Sequence, residues 1–296
     1  MADYLLGIDA GGTKTDFVLT DRQFNVIKEW TLGSANPVDV GMGQMQNVLK
    51  EGIEHCCIGI DYSIVSCFAG IAGGISGDNK EKIHSYLSQF GFGSFDNGSD
   101  IDNCIAMTIE ANDGVCVIMG TGIVAFCQQN NCLHRIGGWG YLLDKAGSGY
   151  HIGADALYCA LGCYDGRGGS MLMKSLIEEK LNKTIPEAIP EIYAGGKSEV
   201  ASYTPIVFEA YKQKDDYAKT ILDRNVQEVA SLIKTAQKIA QTENLPVFIC
   251  GGLTNEKDIL VPFFKQHLPC CELHFSNNRP VNGALKKAHS ISENGE

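Results

Sequence analysis

The chain has 296 residues, of which 44% are hydrophobic and 20% are charged. These proportions are typical of a globular protein and exclude a disordered chain, and the length allows two domains of about 100–200 residues each. The net charge of −11 and the pI of about 5.1 argue against a nucleic-acid-binding protein, whose surface would be basic.

The N-terminal sequence MADYLLGIDAGGTKTD lacks the basic start, the apolar core and the cleavage site of a signal peptide. No apolar run approaches the about 18 residues of a membrane span. We therefore expect a cytoplasmic protein with no membrane partner. The 12 cysteines are expected to be free thiols that act as small apolar residues in a reducing compartment.

The first part of the chain predicts an antiparallel meander followed by alternating helices and strands. YLLGID is a short apolar run, and KTDFVLT alternates polar and apolar residues, which is typical of a strand. In chain order the predicted elements are strands at 4–9, 14–20 and 26–32, a helix at 43–57, a strand at 62–69, a helix at 79–90, a short strand ending near Asp102 and a helix at 103–111.

The pattern then restarts, with a strand, a glycine turn and a second strand, as at the beginning of the chain. This internal repeat predicts two related lobes in an α/β protein. The remaining predicted elements are strands at 115–119 and 123–128, helices at 151–162, 171–182, 204–213 and 216–241, a strand at 246–250, a helix at 256–266, a strand at 272–275 and a helix at 281–289.

The first glycine turn contains the residue types that a nucleotide phosphate needs. Gly11, Gly12 and Thr13 follow an apolar strand, and a turn without Cβ atoms lets backbone N–H groups approach phosphate oxygens. The hydroxyls of Thr13 and Thr15 are candidate donors. Lys14 either adds a positive charge or points to solvent. Asp9, at the end of the strand, is the candidate ligand for Mg²⁺.

Two further glycine turns follow apolar strands. Gly120-Thr121-Gly122 echoes the first turn, and Gly251-Gly252 follows the strand PVFIC. A strand that ends in glycine in an α/β protein leaves room for a ligand at its carboxyl end. Taken alone, each turn is equally compatible with an ordinary hairpin or a strand–helix connection. Together they favour nucleotide binding.

The succession GIDAGGTKTD, MGTG, GGWGYLLDKAGSGYHIG, YDGRGG and FICGGL resembles the BadF/BadG/BcrA/BcrD-type ATPase family, from Leu5 to about Leu285. Within that family the chain resembles the N-acetylglucosamine kinases and their N-acetylmuramate-accepting relatives. The segment from Gly137 to Gly153 is the most specific part of the resemblance.

The resemblance implies an actin-like, ribonuclease H-like fold, with two lobes of mixed five-stranded sheets around a nucleotide cleft. The lobes would be residues 1–112, completed by a C-terminal helix at 280–290, and residues 113–279. ATP would bind with Mg²⁺. The residues that would contact the nucleotide are Gly11, Gly12, Thr13, Lys14, Gly120, Thr121, Gly122, Gly251 and Gly252. A homodimer is also implied.

The resemblance further implies an amino-sugar kinase with Asp102 as its catalytic base. A carboxylate within hydrogen-bond reach accepts the proton of the attacking sugar hydroxyl. Asp100 is the alternative match, and the position of Asp102 also suits a helix N-cap before residues 103–111. The residues that would contact the sugar are Asn36, Asp102, Thr121, Gly138, Trp139, Gly140, Asp144 and Lys145.

One stretch departs from the family pattern G-D-E-G-S. Here Lys145-Ala146 replaces the acidic pair, and Asp144 lies one position early. Either Asp144 substitutes after a small loop shift, or Lys145 pairs with an acidic substrate such as N-acetylmuramate.

Other functions remain open at this stage. One is a glucosamine kinase. Another is an ATPase that activates a dehydratase or reductase through a cysteine-bound iron–sulfur cluster, for which Cys159 and Cys163 would be the candidate pair. A sugar-responsive regulator finds no support, because the sequence has no helix-turn-helix or basic patch.

Overall fold

The computed structural model describes residues 2–109, 113–130 and 132–294. The chain forms two compact units, which are unit 1, residues 1–111 with 278–296, and unit 2, residues 112–277. Residue 112 of the expected boundary and the last two residues of the helix predicted at 103–111 lie outside the described residues. No helix in the described ranges is long and apolar enough to cross a membrane.

In chain order the strands are β1 (Tyr4–Ala10), β2 (Lys14–Asp21), β3 (Val26–Gly33), β4 (Val65–Ile71), β5 (Ser94–Gly98), β6 (Gly114–Met119), β7 (Ile123–Gln129), β8 (Cys132–Ile136), β9 (Val247–Cys250) and β10 (Leu273–Phe275). The helices are α1 (Pro37–Val40), α2 (Met42–Cys56), α3 (Asn79–Leu87), α4 (Asp100–Thr108), α5 (Gly149–Tyr164), α6 (Met171–Leu181), α7 (Ile185–Ala201), α8 (Thr204–Lys212), α9 (Asp216–Ile239), α10 (Lys257–His267) and α11 (Val281–Asn294).

The described residues of each unit form a mixed sheet with the same topology. The order is β3-β2-β1-β4-β5 in unit 1 and β10-β9-β6-β7-β8 in unit 2. In both sheets two antiparallel hairpins are followed by two strands that pair in parallel. The prediction of two mixed five-stranded sheets is therefore confirmed, and the sequence repeat corresponds to a repeat of strand order.

The parallel strands of unit 1 bring three residues into one row. Asp9 of β1 pairs with Gly70 of β4, which pairs with Gly98 of β5. The missing side chains at the two glycines leave room for helix α4, because a Cβ at Gly70 would lie 2.3 Å from the Asn103 amide and one at Gly98 would lie 2.4 Å from Asp102 Oδ2. The fold thus places the start of α4 over the carboxyl ends of these strands.

Helix α11 returns the C-terminal segment to unit 1. Its Leu285 and Ala288 pack with Leu5 and Phe68 in an apolar cluster. The approach to α4 is close, because a Cβ at Gly283 would lie 1.8 Å from the carbonyl oxygen of Asn103. Helix α11 also lies against β1, where a Cβ at Gly7 would be 2.9 Å from Leu285, so α4 is held by both the sheet and α11.

Three elements were not predicted from the sequence. Helix α1 has four residues. Strand β8 is exposed except at its last residue, so it lacks an apolar pattern. Helix α7 contains Pro190 and is kinked at Gly196, two residues that predict an interruption. Strand β4 also begins later than predicted, because residues 62–64 form a 3₁₀ turn capped by Asp61.

Candidate functional site

The turn between β1 and β2 presents a tip with few side chains. Gly11 N donates to Lys14 O at 2.9 Å and closes the turn, while Gly12 and Thr13 are exposed. Ser34 Oγ donates to Gly11 O at 3.1 Å and fastens the turn to the end of β3. The tip is thus a fixed backbone surface that a phosphate group can approach.

Two side chains beside this tip have other partners. Thr15 is buried, and its hydroxyl donates to Gly33 O at 2.8 Å, so the expectation that it donates to a phosphate is wrong. Lys14 Nζ lies 2.7 Å from Asp16 Oδ2, so the lysine does not point freely into solvent. Thr13 is the hydroxyl that remains exposed at the tip.

Asn36 lies on the side of this tip and caps helix α1. Its Oδ1 accepts from Val38 N at 3.0 Å, and its Nδ2 donates to Asp39 Oδ2 at 2.7 Å. A Cβ on Gly12 would lie 3.8 Å from the same Asp39 oxygen. Asp39 is therefore a functional candidate that the sequence reasoning missed, and Asn-Pro-x-Asp spacing at a helix start was the available signal.

Asp9 lies at the end of β1 beneath the tip. Asn103 Nδ2 donates to Asp9 Oδ1 at 2.7 Å and to Ile8 O at 3.2 Å. Burial raises the pKa of Asp9 to about 6, and the neighbouring Asp100 carboxylate acts in the same direction against the hydrogen bond from Asn103. A carboxylate that burial and like charge destabilise is a good ligand for a cation.

Asp102 is the third residue of helix α4 and forms a capping box with Ser99. Its Oδ2 accepts from Ser99 N at 2.8 Å and from Ser99 Oγ at 2.9 Å. The strand predicted to end near Asp102 ends at Gly98, and the N-cap is Ser99, so the reading of Asp102 itself as the N-cap is wrong. Asp102 Oδ1 accepts no hydrogen bond from the described residues, which leaves it available to a substrate hydroxyl.

Asp100, the alternative base, lies in the first turn of the same helix. Burial raises its pKa above the usual value, with a smaller contribution from Asp102. A single helix start therefore holds both candidates. Geometry favours Asp102, because two donors of Ser99 fix its carboxylate, whereas Asp100 accepts from a single other residue in the described ranges, from Ile101 N at 3.1 Å.

The carboxylates of unit 1 fit a magnesium ion held partly by its nucleotide. Mg²⁺ in phosphate-transfer sites is bound by one or two carboxylates together with phosphates and waters. Asp9 supplies one partly buried carboxylate with Asp100 nearby. Among the described residues no three His, Cys, Asp or Glu side chains form a complete cage. Asp9 is thus the residue that would hold Mg²⁺ once phosphates are present.

In unit 2 the second glycine turn is fastened to the start of helix α5. Gly120 N donates to Gly122 O at 3.0 Å, Gly149 N donates to Gly120 O at 2.8 Å, and Tyr150 N donates to Thr121 O at 3.2 Å. Thr121 and Gly122 stay exposed. The turn therefore lies directly against a helix N-terminus, where the helix dipole favours anions.

Beside this turn lies a cavity of about 310 Å³. Gly120, Thr121 and Gly252 line it, which brings the second and third predicted motifs together. The residues that complete its wall and that the sequence reasoning missed are Gly149, Ala201, Thr204, Pro205, Phe208, Leu253, Asn255 and Glu256. Apolar walls with a few polar groups suit a nucleoside.

Gly251 is outside the cavity lining and serves the turn. Its φ of 101° and the 2.5 Å that would separate a Cβ from Met119 O both require glycine. Gly252 is different, because nothing lies within 4 Å of the position of its Cβ. The two neighbouring glycines therefore have separate roles.

This difference predicts opposite outcomes for two alanine variants. Gly251→Ala should lower the free energy of unfolding by about 1–3 kcal/mol, because of backbone strain and a clash. Gly252→Ala should leave the melting temperature nearly unchanged and raise the KM for ATP, because its methyl group enters the cavity. Thermal melts and ATP titrations of both variants check this; equal destabilisation would contradict it.

The segment from Gly137 to Gly147 holds the tryptophan of the predicted sugar site. Trp139 is 64% exposed, and the guanidinium of Arg135 lies 4.7 Å from its ring centre. The backbone N–H groups of Trp139 and Gly140 both donate to the Asp144 carboxylate, at 3.1 and 3.0 Å. Lys145 is largely exposed, with Nζ 3.5 Å from Glu228 Oε2.

The model of the BadF/BadG/BcrA/BcrD ATPase family matches residues 6–268. The chain belongs to this family. An N-acetylmuramic acid/N-acetylglucosamine kinase of Clostridium acetobutylicum is 30% identical to it over 275 residues, which are 90% of each chain. An N-acetyl-D-glucosamine kinase of Dictyostelium discoideum is 27% identical over 279 residues, which are 87% of this chain and 88% of that protein.

A solved structure of a candidate N-acetylglucosamine kinase from Chromobacterium violaceum has the same fold. It matches with a TM-score of 0.79 at 21% identity, over 97% of this chain and 99% of that chain. The predicted actin-like sugar-kinase fold class and the predicted family are both confirmed. The expectation that the chain uses ATP agrees with membership of an ATPase family.

The family's iron–sulfur branch requires converging cysteines. Cys159 is buried and its Sγ accepts from Ser170 N at 3.2 Å, while Cys163 is partly buried one helical turn further on. Within residues 2–109, 113–130 and 132–294 no group of three metal-ligating side chains forms. Eight of the 12 cysteines are buried, as expected for small apolar residues, and the four more accessible ones are Cys132, Cys163, Cys270 and Cys271.

Proposed function

We propose that this chain transfers the γ-phosphoryl group of ATP to the 6-hydroxyl of an amino sugar, N-acetylglucosamine or N-acetylmuramate. The relatives that match along 87–90% of the chain support this substrate class. The observation that carries the chemistry is Asp102, whose carboxylate is oriented by Ser99 and keeps one oxygen free at the start of α4.

The proposed step is an in-line displacement at the γ-phosphorus. The sugar O6 forms a bond to phosphorus, the bond between the γ-phosphorus and the bridging oxygen breaks, and ADP leaves with that oxygen. Asp102 accepts the proton of the hydroxyl as the new bond forms. Bound Mg²⁺ supplies positive charge to the phosphates, and Asp9 is the residue proposed to hold it.

The other groups of the chain bind and orient. In unit 1 the backbone of Gly11, Gly12 and Thr13 would meet phosphate oxygens, and Asn36 would hold the sugar. In unit 2 the cavity beside Gly120 and Gly252 would hold the nucleoside. Preorganised backbone donors of this kind lower the barrier because they need no rearrangement when charge develops.

A substrate screen tests the proposal. ATP consumption is measured with N-acetylglucosamine, N-acetylmuramate, glucosamine and glucose, with and without Mg²⁺. We expect turnover with one or both N-acetylated sugars and dependence on Mg²⁺. Turnover with glucosamine alone would move the function to a glucosamine kinase, and no sugar-dependent turnover would reject the proposal. We also propose that the protein is a cytoplasmic homodimer. Light scattering of the purified protein measures its molar mass and so tests the homodimer.

Lys145 provides a test of substrate preference. Its side chain is 82% exposed and its Nζ lies 3.5 Å from Glu228 Oε2, so a substrate carboxylate can reach the ammonium group. Lys145→Ala should raise the KM for N-acetylmuramate about tenfold, the value of a hydrogen bond to a charged group, and leave that for N-acetylglucosamine nearly unchanged. Lys219→Ala, an exposed lysine of α9, is the matched control. Equal losses for both sugars would contradict a role in selecting the acidic one.

A further inference from the structure

The segment from Gly137 to Gly147 is folded around an internal carboxylate. Gly137, Gly138, Gly140 and Gly147 have φ values of 70°, 75°, 100° and 95°. Where residues of left-handed and right-handed φ alternate, as at Gly138, Trp139 and Gly140, successive backbone N–H groups can point toward one anion. The Asp144 carboxylate occupies that point, since Oδ1 accepts from Trp139 N and Oδ2 from Gly140 N.

Asp144 also closes the segment through its main chain. Its N–H donates to Gly140 O at 2.9 Å, and Leu143 N donates to the same oxygen at 2.9 Å. Gly140 therefore donates to the Asp144 carboxylate and accepts from the Asp144 backbone. This reciprocal pairing fixes the turn that follows Trp139.

His151 holds Asp144 from helix α5. Its ring is 9% exposed, with Nε2 at 2.8 Å from Asp144 O and Nδ1 at 2.6 Å from Ser148 Oγ. A carbonyl oxygen accepts only, so Nε2 carries the proton and Nδ1 accepts from the serine hydroxyl. The imidazole thus connects the Trp139 segment to the first turn of α5.

The far end of the segment is held by helix α9. Gly147 N donates to Asn225 Oδ1 at 2.7 Å, and the buried Asn225 donates to Asp155 Oδ2 at 2.9 Å. A Cβ on Gly147 would lie 2.8 Å from Val229 Cγ2. Both ends are therefore fixed, and the orientation of Trp139 depends on the contacts between them.

We propose that Asp144 and His151 are positioning residues that hold Trp139 for the sugar, and that Asp144 is not itself a sugar ligand. Both carboxylate oxygens of Asp144 are already used on backbone donors. We call the hydrogen bonds that Asp144 and His151 make within this segment the brace. The role in sugar binding rests on the proposed function, whereas the ordering of Trp139 by the brace does not.

A fluorescence measurement tests the brace without any substrate. The chain has two tryptophans, Trp30 and Trp139, so Trp30→Phe leaves Trp139 as the reporter. In that background Asp144→Ala and His151→Phe should lower the anisotropy of Trp139 and raise acrylamide quenching about twofold. His151→Gln keeps an N–H donor near the position of Nε2 and should retain most of the ordering. Asp216→Ala, an exposed acid of α9, is the control.

Kinetic measurements on the same variants test whether the brace contributes to sugar binding. Asp144→Ala, which removes hydrogen bonds to a charged group, should raise the KM for the sugar about 10- to 100-fold, and His151→Phe, which removes neutral hydrogen bonds, about 3- to 10-fold. The kcat should change less than about threefold, and the KM for ATP should stay constant. Circular dichroism and melting curves check that the variants fold.

The outcomes separate the two proposals. A raised sugar KM in Asp144→Ala with unchanged Trp139 anisotropy would overturn the inference and make Asp144 a direct sugar ligand. Lower anisotropy with an unchanged sugar KM would overturn the role in the sugar site. If the wild-type protein phosphorylates no sugar, the proposed function fails, while loss of Trp139 ordering in both variants still supports the brace.

Discussion

Asp102→Asn is expected to lower kcat about 10²- to 10⁴-fold, the usual contribution of a positioned general base. The affinity for ATP should remain within about twofold, because the capping geometry of Asp102 concerns α4 and not the glycine turns. Asparagine keeps one oxygen that can accept from Ser99 N, so the cost in stability should be about 1 kcal/mol. Sugar-dependent ADP release measures the first effect, and calorimetric titration with ATP measures the second.

Asp100→Asn is the matched variant, because it lies in the same helical turn. It should keep most of the activity, since a single neighbouring donor in the described part of the chain, Ile101 N, orients the Asp100 carboxylate, whereas two donors of Ser99 orient that of Asp102. Activity that survives in Asp102→Asn and disappears in Asp100→Asn would transfer the role of base to Asp100. Melting curves for both variants exclude unfolding as the cause.

Asp9→Asn is expected to stabilise the protein at pH 8 while removing its Mg²⁺-dependent activity. The pKa of Asp9 is raised from 3.8 to about 6 in the folded protein, mainly by burial. A shift of about two units corresponds to about 3 kcal/mol against the charged form at most, reduced by partial solvent access. Asparagine carries no charge and still accepts the hydrogen bond from Asn103.

The raised pKa of Asp9 lowers the stability of the folded protein within a defined pH window. A raised carboxyl pKa means that the folded state binds the proton more tightly than the unfolded state, so stability is lost as pH rises from about 4 to about 6. The melting temperature of Asp9→Asn should therefore exceed that of the wild type at pH 8 by a few degrees and match it near pH 4. Asp3→Asn, at an exposed position, is the control. A difference that is equal at both pH values would contradict the assignment.

The backbone plan of this protein follows from local sequence. Apolar runs that end in glycine turns predicted β1, β2, β6, β7 and β9 to within about two residues, because strand periodicity and glycine turns are encoded by neighbouring residues. Breaker residues misled the same reasoning at α7, where Pro190 and Gly196 lie inside a helix that tertiary packing maintains. The exposed edge strand β8 had no apolar pattern to read.

The sequence by itself determined where the glycine turns lie, which strands precede them and which family the chain resembles. Only the tertiary structure decided the partners of the site residues. It placed Asn103 over Gly70 and beside Asp9, Asp39 against Gly12, and Asn225 against Gly147. The physical reason is that backbone form depends on nearby residues, whereas the partner of a carboxylate depends on which distant segments pack against it.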